Sequence, residues 1–584
     1  MRSFQLGIKM RLISIFYGCA LLFLFLILRL VDIQAVEKDR FKYLALQQHL
    51  RKMEITGLRG SIYDRSGELL AKSLELPSLA ADTTKIQDTQ YAAKKISRIL
   101  GLKYSDLLKD LNNKTTFVWL KRKVSQAEAD EVLKLKINGV FLIKESSGRR
   151  FYPKGKLASH ILGSTGVDDQ GLDGIECIYE NNLKGKKGLF EAEIDNIGSA
   201  IPTGKFKVNP AEKGSDIYLT IDETIQYHAE RELSKCVKEY AAKSGSVIVV
   251  KVNTGEILAM ANYPDYRNED YFKASSEQLR NRAIIDSYEP GSTFKVILGS
   301  AALDSGKVKP EDKFYCGQSI NIGPWQIRNA NDGLSSDSGQ ENLREIITYS
   351  FNVGTASVAL KIGSKILQKY VNDFGFGSLT NIDLPGETTG ILPSDTEWAD
   401  VTTATVSFGQ GISVTPLQLV MAMSAIANGG TLYKPHVIRY IKDKDGNIIK
   451  EYKPEKVRQV ISFQTAVEMA GTLRQVVEKG TGKKAQIAGY QTAGKTGTAQ
   501  VCENGGYASS KYIASFVGFA PVEKPEIAVL VKIDEPTSAI WGGVVAAPVF
   551  SNVARQTLWH LGILPTNPEE TQTAGINKFN NKKN

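Results

Sequence analysis

The sequence predicts the α+β fold class: a mostly antiparallel sheet flanked by helices, in a chain that also carries one membrane-spanning helix. Three features of the 584 residues indicate this. An apolar run lies near the N-terminus, strand-like segments occur near both ends of the larger C-terminal part, and helical sequence lies between those strands. Distant strands that share one sheet are typical of α+β domains.

The apolar run extends from Leu12 to Val31 and contains one charge, Arg29. A helix needs roughly 20 such residues to span hydrocarbon. Basic residues precede the run, so residues 1–11 are expected in the cytoplasm, residues 12–34 as the anchor, and the remainder outside. A cleaved signal peptide is the alternative, but the run is longer than the usual apolar region and no clean small-x-small site follows it.

Composition excludes several classes of protein. The 42% hydrophobic and 23% charged content is that of a globular chain. The net charge of +10 suits an anionic lipid or wall polymer as well as an ordinary solvated surface, and no arginine-rich tract indicates nucleic acid. Five scattered cysteines form no Cys-x-x-Cys pair, so neither a disulfide framework nor zinc is expected. Whether any two of them pair stays open.

The segment from Ala35 to about Lys213 is mixed and charged. Strand residues surround turn chemistry in RGSIYDRSGELLA (Arg59–Ala71), and a second strand-like piece precedes the glycine-rich GLDGIE (Gly171–Glu176). Between them, residues 91–111 and 126–135 are predicted to be surface helices.

The pattern changes near Gly214. Residues 216–222 alternate as a strand does, and Asp222 is a plausible N-cap for a helix to about Tyr240. Residues 246–252 and 256–261 predict a hairpin, and residues 512–520 and 526–533 predict a second strand pair. Residues 546–558 predict a closing helix, and the polar stretch from Pro565 predicts a disordered tail.

The first chemical motif is Ser292-Thr293-Phe294-Lys295. Pro290 and Gly291 interrupt the chain and helical spacing follows, so Ser292 is predicted at a helix N-terminus. Residues i and i+3 share a helix face, which puts the Lys295 amine within reach of the Ser292 hydroxyl. A serine needs an adjacent base to become a nucleophile, and a desolvated lysine beside another cation can serve. Alone, a Ser-x-x-Lys pattern is weak evidence for a catalytic serine.

Two further motifs strengthen the interpretation of Ser292 and Lys295 as a nucleophile and its base. Ser350-Phe351-Asn352 places a hydroxyl and an amide at alternate positions, and Lys495-Thr496-Gly497-Thr498 precedes the second strand pair. A cation, two hydroxyls and a glycine on a strand suit a substrate carboxylate. The order Ser-x-x-Lys, Ser-x-Asn, Lys-Thr-Gly is the signature of penicillin-recognising serine enzymes.

Other chemistries fit less well. Residues 489–496 (GYQTAGKT) match the letters of a phosphate-binding loop, but no helix is predicted after them. No histidine lies within a nucleophile motif and Gly-x-Ser-x-Gly is not found, so a Ser-His-Asp triad is not assignable.

With these residues the chain resembles the class B penicillin-binding proteins over nearly its whole length. The resemblance implies a pedestal (dimerisation-type) module at residues 35–213, an elongated α/β element, a transpeptidase domain at 214–564, and a tail at 565–584. Glu289, where the elongation branch tends to carry a proline, and residues 505–521 resemble the division-type branch. An elongation-type enzyme is the alternative.

The resemblance also implies a mechanism. Ser292 would attack the penultimate D-alanine carbonyl of a stem peptide while Lys295 takes its proton, and the N–H groups of Ser292 and Thr498 would form the oxyanion hole. Ser350 and Lys495 would relay the proton, and Asn352 would hold the donor amide. The substrate carboxylate would bind at Thr496, Gly497 and Thr498. No metal or cofactor is implied, and hydrolysis is an expected side reaction.

The implied partners are peptidoglycan stem peptides, β-lactams, the cytoplasmic membrane, a polytopic glycosyltransferase and bitopic division proteins. A β-lactam sensor or β-lactamase would share the three motifs, but the Glu-x-x-Leu-Asn motif of class A β-lactamases is not found and neither class needs a pedestal. An inactive scaffold is disfavoured by the intact Ser292, Lys295 and Lys495.

Overall fold

The computed structural model describes residues 2–144, 148–193, 206–330, 339–503 and 505–567. The chain divides into two compact units. The first comprises Met1–Leu58 with Gly185–Lys213, and the second comprises Arg59–Lys184 with Gly214–Asn584. The predicted tail lies outside the described residues from residue 568 onward.

The first unit begins with the helix Arg2–Val31, which continues as a π-helical turn, Asp32–Val36, and is followed by the helix Lys38–His49. The stretch Gln5–Val36 is long and apolar enough to cross a membrane, and none of it is buried in protein. A helix whose whole circumference is apolar and uncovered needs a nonpolar solvent around it. It is the one helix of this kind in the described part of the chain, as a single-pass anchor requires.

The remainder of the first unit is an antiparallel sheet. Its strands lie in the order Leu50–Thr56, Lys187–Glu193, Phe206–Asn209.

A six-stranded sheet of the second unit joins segments that are far apart in sequence. Asp216–Leu219 pairs in parallel with Ile62–Tyr63, with Ile217 opposite Ile62, and the other pairs are antiparallel. The full order is Ile448–Glu451, Ile438–Lys442, Asp216–Leu219, Ile62–Tyr63, Leu69–Leu74, Arg149–Phe151. This sheet joins residues from both sides of the boundary expected at residues 213 and 214, and the larger compact unit accordingly contains Arg59–Lys184 together with Gly214–Asn584. The expected domain limits stay a prediction.

Three segments of the N-terminal half that are far apart in sequence meet in a buried ion-pair cluster through Arg59, Arg150 and Glu176. The Nε of Arg59 lies 2.6 Å from Glu176 Oε2, and the Nε of Arg150 lies 2.6 Å from Glu176 Oε1. All three side chains are buried. Removing one partner of such a cluster would leave an uncompensated buried charge, at a cost of about 3–5 kcal/mol.

A small layer with its own hydrophobic cluster follows. Its antiparallel strands are ordered Val118–Lys121, Pro77–Ala81, Val140–Lys144, and its helices are Thr89–Leu100, Tyr104–Asn112 and Gln126–Lys134. The helix expected over residues 91–111 is therefore two helices. Gly101 ends the first in a left-handed conformation (φ +65°), the usual way for glycine to stop a helix.

The central sheet of the second unit is five-stranded and antiparallel. Its order is Ile257–Tyr263, Ser244–Lys251, Ile527–Asp534, Gly506–Ala520, Ala493–Glu503. The helices Glu223–Glu239 and Gly542–His560 pack together with one hydrophobic cluster of this sheet. Asp222 caps the first of these helices by accepting from the amides of Thr224 and Ile225. The predicted α+β class, both strand pairs and the closing helix are confirmed.

Helices dominate the sequence between the two ends of this sheet, as expected. They are Ser276–Leu279, Arg282–Ile285, Lys295–Asp304, Leu343–Tyr349, Asn352–Ile362, Ser364–Asp373, Asp400–Ser407, Pro416–Ala427 and Phe463–Glu478. Three short strand pairs accompany them: Lys313–Tyr315 with Gln340–Asn342, Ser319–Ile322 with Trp325–Arg328, and Thr431–Tyr433 with Lys456–Gln459. Short helices at Ser159–Leu162, Gly174–Ile178 and Glu180–Leu183 precede the central domain.

Candidate active site

Ser292 lies in a single 3-10 turn, Gly291–Phe294, that leads directly into the helix Lys295–Asp304. Gly291 has a left-handed backbone (φ +55°), and its amide donates to the carbonyl of Gly409 over 3.1 Å. Residues with a Cβ are disfavoured in this conformation. The turn therefore places Ser292, which stays partly exposed, at the entrance to the helix, as the sequence predicts.

Lys295 is fully buried beneath this turn. Its Nζ donates to the carbonyl of Ser350 (2.6 Å), to Ser350 Oγ (3.1 Å) and to Asn352 Oδ1 (2.7 Å). The first and second motifs, separated by more than fifty residues, are thereby joined around one amine.

Ser350 and Asn352 reach Lys295 through an unusual junction between two helices. Ser350 ends the helix Leu343–Tyr349 with a left-handed backbone (φ +65°), and Asn352 begins the helix Asn352–Ile362. Such a conformation is uncommon for a residue with a Cβ and costs about 1–2 kcal/mol. It turns both the carbonyl and the hydroxyl of Ser350 towards the lysine. The side-chain amide nitrogen of Asn352, Nδ2, donates to the backbone carbonyl of Arg328 over 3.2 Å.

Lys495 approaches the same hydroxyl from the central sheet. It is fully buried on the edge strand Ala493–Glu503, and its Nζ donates to Ser350 Oγ over 3.1 Å and to the Thr496 carbonyl over 3.2 Å. The three motifs therefore form one hydrogen-bonded group. Because residues 493–503 form a strand, the phosphate-loop interpretation of the overlapping GYQTAGKT sequence is excluded.

Gly497 allows this strand to lie against the serine turn. A Cβ at Gly497 would come within 2.5 Å of Ser515 Oγ, 2.8 Å of Thr293 Cγ2 and 3.0 Å of the Pro290 carbonyl oxygen. Only a residue without a side chain fits. The neighbouring Thr498 backbone also comes close to the turn, since a Cβ on Gly291 would meet its carbonyl oxygen at 3.2 Å.

Ser292 opens into a cavity of about 440 Å³. Its walls include five residues that the sequence singled out: Ser292, Ser350, Asn352, Thr496 and Thr498. They also include four that sequence reasoning missed: Thr481, Lys483, Lys484 and Trp541. The missed residues come from loops that only the tertiary fold brings here, and no spacing signal marks them.

The two threonines of the third motif have fixed neighbours. Thr496 Oγ1 lies 2.7 Å from Thr481 Oγ1, and Thr498 Oγ1 accepts from the amide of Gly542 over 3.1 Å. Two hydroxyls beside a lysine can bind a carboxylate through charge-assisted hydrogen bonds.

The loop before Ser292 is held by Glu289. Its carboxylate accepts from the Gly411 amide over 2.8 Å and from the Tyr507 hydroxyl over 3.2 Å. Burial raises the pKa of Glu289 above its ordinary range. The contact ties the serine loop to the strand Gly506–Ala520.

Two family models match this chain. One describes the penicillin-binding protein transpeptidase domain and matches residues 245–555. The other describes the penicillin-binding protein dimerisation domain and matches residues 54–219.

Named relatives match nearly the whole chain. Stage V sporulation protein D of Bacillus subtilis is 35% identical over 572 residues, which cover 97% of this chain and 88% of the relative. Peptidoglycan D,D-transpeptidase FtsI of Escherichia coli is 34% identical over 571 residues, covering 96% and 93%.

Solved structures share the fold. Penicillin binding protein 2X from Streptococcus thermophilus has a TM-score of 0.72 and 28% identity, covering 89% of this chain and 82% of that one. Penicillin binding protein 3 from Mycobacterium tuberculosis, complexed with aztreonam, has a TM-score of 0.68 and 26% identity, covering 88% and 98%.

Proposed function

We propose that this chain cross-links stem peptides through an acyl-enzyme on Ser292. The premise is that it belongs to the class B penicillin-binding proteins, which are peptidoglycan D,D-transpeptidases. The observation that carries this proposal is the meeting of two buried lysines at one hydroxyl beside that serine. The base and the relay are then within a single hydrogen-bonded group, and Ser292 lines the same cavity as Ser350.

The base is Lys295. A charged lysine has three N–H donors, and three acceptor atoms of Ser350 and Asn352 surround its Nζ. The neutral amine has two donors, so one contact must give way and leave a lone pair for the Ser292 proton. The Ser350 hydroxyl is the contact that can give way, because it also accepts from Lys495 and keeps that hydrogen bond.

Acylation follows from this arrangement. Ser292 Oγ bonds to the penultimate D-alanine carbonyl, the peptide bond to the terminal D-alanine breaks, and that D-alanine leaves with a proton delivered through Ser350 from Lys295 or Lys495. The amides of Ser292 and Thr498 stabilise the oxyanion, the kind of interaction often worth most in acyl transfer. The closeness of the two backbone segments supports this pairing.

Substrate binding is assigned to the strand and the helix junction. Thr496, Gly497 and Thr498 receive the terminal carboxylate, with Lys495 supplying charge. Asn352 binds the donor amide, for which its Nδ2 must exchange the bond to the Arg328 carbonyl. The amine of a second stem peptide then attacks the ester, forming the cross-link and freeing Ser292.

The placement in the cell is also proposed. The basic residues before the apolar helix support an N-terminus in the cytoplasm and a catalytic domain outside the cytoplasmic membrane. Protease added outside spheroplasts should then digest the bulk of the chain, whereas full protection would contradict this orientation. Glu289 and residues 505–521 favour a role in septal synthesis beside a polytopic glycosyltransferase and bitopic division proteins.

Purified full-length protein, a labelled stem peptide ending in D-Ala-D-Ala and a separate amine acceptor peptide test the activity. Each cross-link should be accompanied by one free D-alanine, any excess of D-alanine should equal the hydrolysed donor, and Ser292→Ala should form none of these products. Hydrolysis without any cross-link, at saturating acceptor, would indicate a carboxypeptidase or β-lactamase-like enzyme instead.

A further inference from the structure

The cavity at Ser292, the active-site cavity, has wall residues to which the acylation steps assign no role. Four of them come from loops: Thr481, Lys483, Lys484 and Trp541. The two lysines share one 3-10 turn, Lys483–Ala485, and the tryptophan stands immediately before the helix Gly542–His560. We call these four residues the loop wall.

The loop wall carries accessible positive charge. Its two lysines are exposed, and among the described residues neither has a partner for an ion pair or a side-chain hydrogen bond. No aspartate or glutamate stands in the described wall of this cavity. An anionic ligand can therefore approach both ammonium groups without displacing a described partner. Trp541 is 42% exposed and adds an accessible apolar surface in the same cavity, so these side chains suit carboxylates carried on an aliphatic chain.

The loop wall adjoins the part of the cavity assigned to the terminal carboxylate of the donor. Thr481 Oγ1 lies 2.7 Å from Thr496 Oγ1. The amide of Gly542, which follows Trp541, donates to Thr498 Oγ1 over 3.1 Å. On the proposed function, this is the side of the cavity from which the terminal D-alanine leaves.

The acceptor has to enter on that same side. In the second half-reaction the acceptor nitrogen bonds to the ester carbonyl carbon, and the bond from that carbon to Ser292 Oγ breaks. One proton of the neutral amine returns to Ser292 through Lys295. This step is acylation reversed with a different amine, so the attacking nitrogen occupies the place that the D-alanine nitrogen left. The rest of the acceptor, which D-alanine lacks, then extends past that place to the loop wall.

We propose that Lys483 and Lys484 bind carboxylate groups of the acceptor stem peptide and thereby select a stem-peptide amine over water. The inference rests on the proposed function, since it assumes cross-linking at this site. Two parts of an acceptor offer this chemistry, its C-terminal carboxylate and a side-chain carboxylate of the glutamyl type. An amine without either group gains nothing from the two lysines.

Cross-linking can be measured on the full-length protein in detergent, with a donor stem peptide whose own amine is blocked. The acceptors are a stem peptide with both carboxylates free, the same peptide with either one converted to an amide, and the double amide. The readout is the acceptor concentration that gives half-maximal cross-linking. We expect the double amide to need at least about tenfold more than the free acid, and the single amides to show which carboxylate is bound.

Lys483→Gln, Lys484→Gln and the double variant test the two residues. Each single change should raise the half-maximal concentration of the free acid about threefold, and the double variant at least about tenfold. The double amide should stay within about twofold of its value in the parent. Lys479→Gln is the matched control, because this exposed lysine of the same segment lies outside the cavity wall, and it should match the parent with every acceptor.

The rate of penicillin acylation is scored for each variant, since it reports the donor half-reaction alone. An equally large loss of penicillin acylation in the double variant would show that the lysines serve the donor carboxylate, and would overturn the proposal. Equal half-maximal concentrations of free acid and double amide in the parent would overturn it as well. A parent that penicillin acylates but that forms no cross-link with any acceptor would contradict the proposed function itself, and the acceptor site with it.

Discussion

The side-chain amines of Lys295 and Lys495 lie at the same distance, 3.1 Å, from one oxygen atom, the hydroxyl of Ser350. Lys295 comes from the helix after the serine turn and Lys495 from the edge strand of the central sheet. A hydroxyl can accept from one amine and donate to the other, so this atom can pass a proton between them.

Ser350→Ala should remove that path and leave the fold in place. We expect the second-order rate of penicillin acylation to fall about 100-fold or more, the usual loss when a proton-transfer group is deleted. Ser300→Ala is the matched control, because among the described residues its buried hydroxyl bonds only the Val296 carbonyl of the same helix. An acylation rate within twofold of the parent for Ser350→Ala would remove the relay role.

Gly497→Ala tests the contact between strand and serine turn. The added Cβ would overlap Ser515, Thr293 and Pro290, so the turn must shift, at a cost of about 1–3 kcal/mol in stability and with slower acylation. Gly471→Ala is the control, since that helical glycine has nothing within 4 Å of its Cβ position and should gain up to about 1 kcal/mol. Equal thermal unfolding and acylation in the two variants would contradict the packing argument.

A pH dependence is expected from Glu230. Burial raises its pKa from 4.5 to about 7, against the hydrogen bonds that its Oε1 accepts from Gln226 and from the Ala158 amide. Below pH 4.5, protonated Glu230 therefore contributes on the order of 3 kcal/mol to the free energy of unfolding. This contribution is lost as the pH rises through about 7.

Glu230→Gln keeps an acceptor oxygen for both donors and cannot ionise. The thermal midpoint of the variant, relative to the parent, should be higher at pH 8 than at pH 4.5. Parallel pH profiles for the two proteins would show that Glu230 does not titrate in this way.

Local sequence predicted the elements that carry local signals. The apolar anchor, the Asp222 cap, the strand pairs and the three motifs were expected from spacing alone. The pairing of Ile62 with Ile217 was not, because a two-residue strand and a partner strand about 150 residues away leave no pattern. Nor could spacing show that Ser350 has a left-handed backbone conformation, or that Thr481 and Trp541 line the active-site cavity, since tertiary packing decides both.

The proposed division role predicts a location in the cell. The proposal assigns the same chemistry to the division and elongation branches. The choice between the two sites of synthesis in the cell is therefore expected to come from partners that bind the N-terminal part of the chain. A fluorescent fusion should gather at midcell, and depletion should give smooth filaments. Replacing Met1–Lys213 with the matching part of an elongation enzyme should abolish midcell placement and leave penicillin binding intact. Uniform sidewall fluorescence with round cells on depletion would indicate the elongation branch.

Peptide mapping of the full-length protein after reaction with a labelled penicillin tests the central claim most directly. We expect one stable adduct, on Ser292, and no adduct in Ser292→Ala, whose stability should change by about 1 kcal/mol at most. An adduct on another serine, or labelling that persists in Ser292→Ala, would contradict the assignment of the nucleophile.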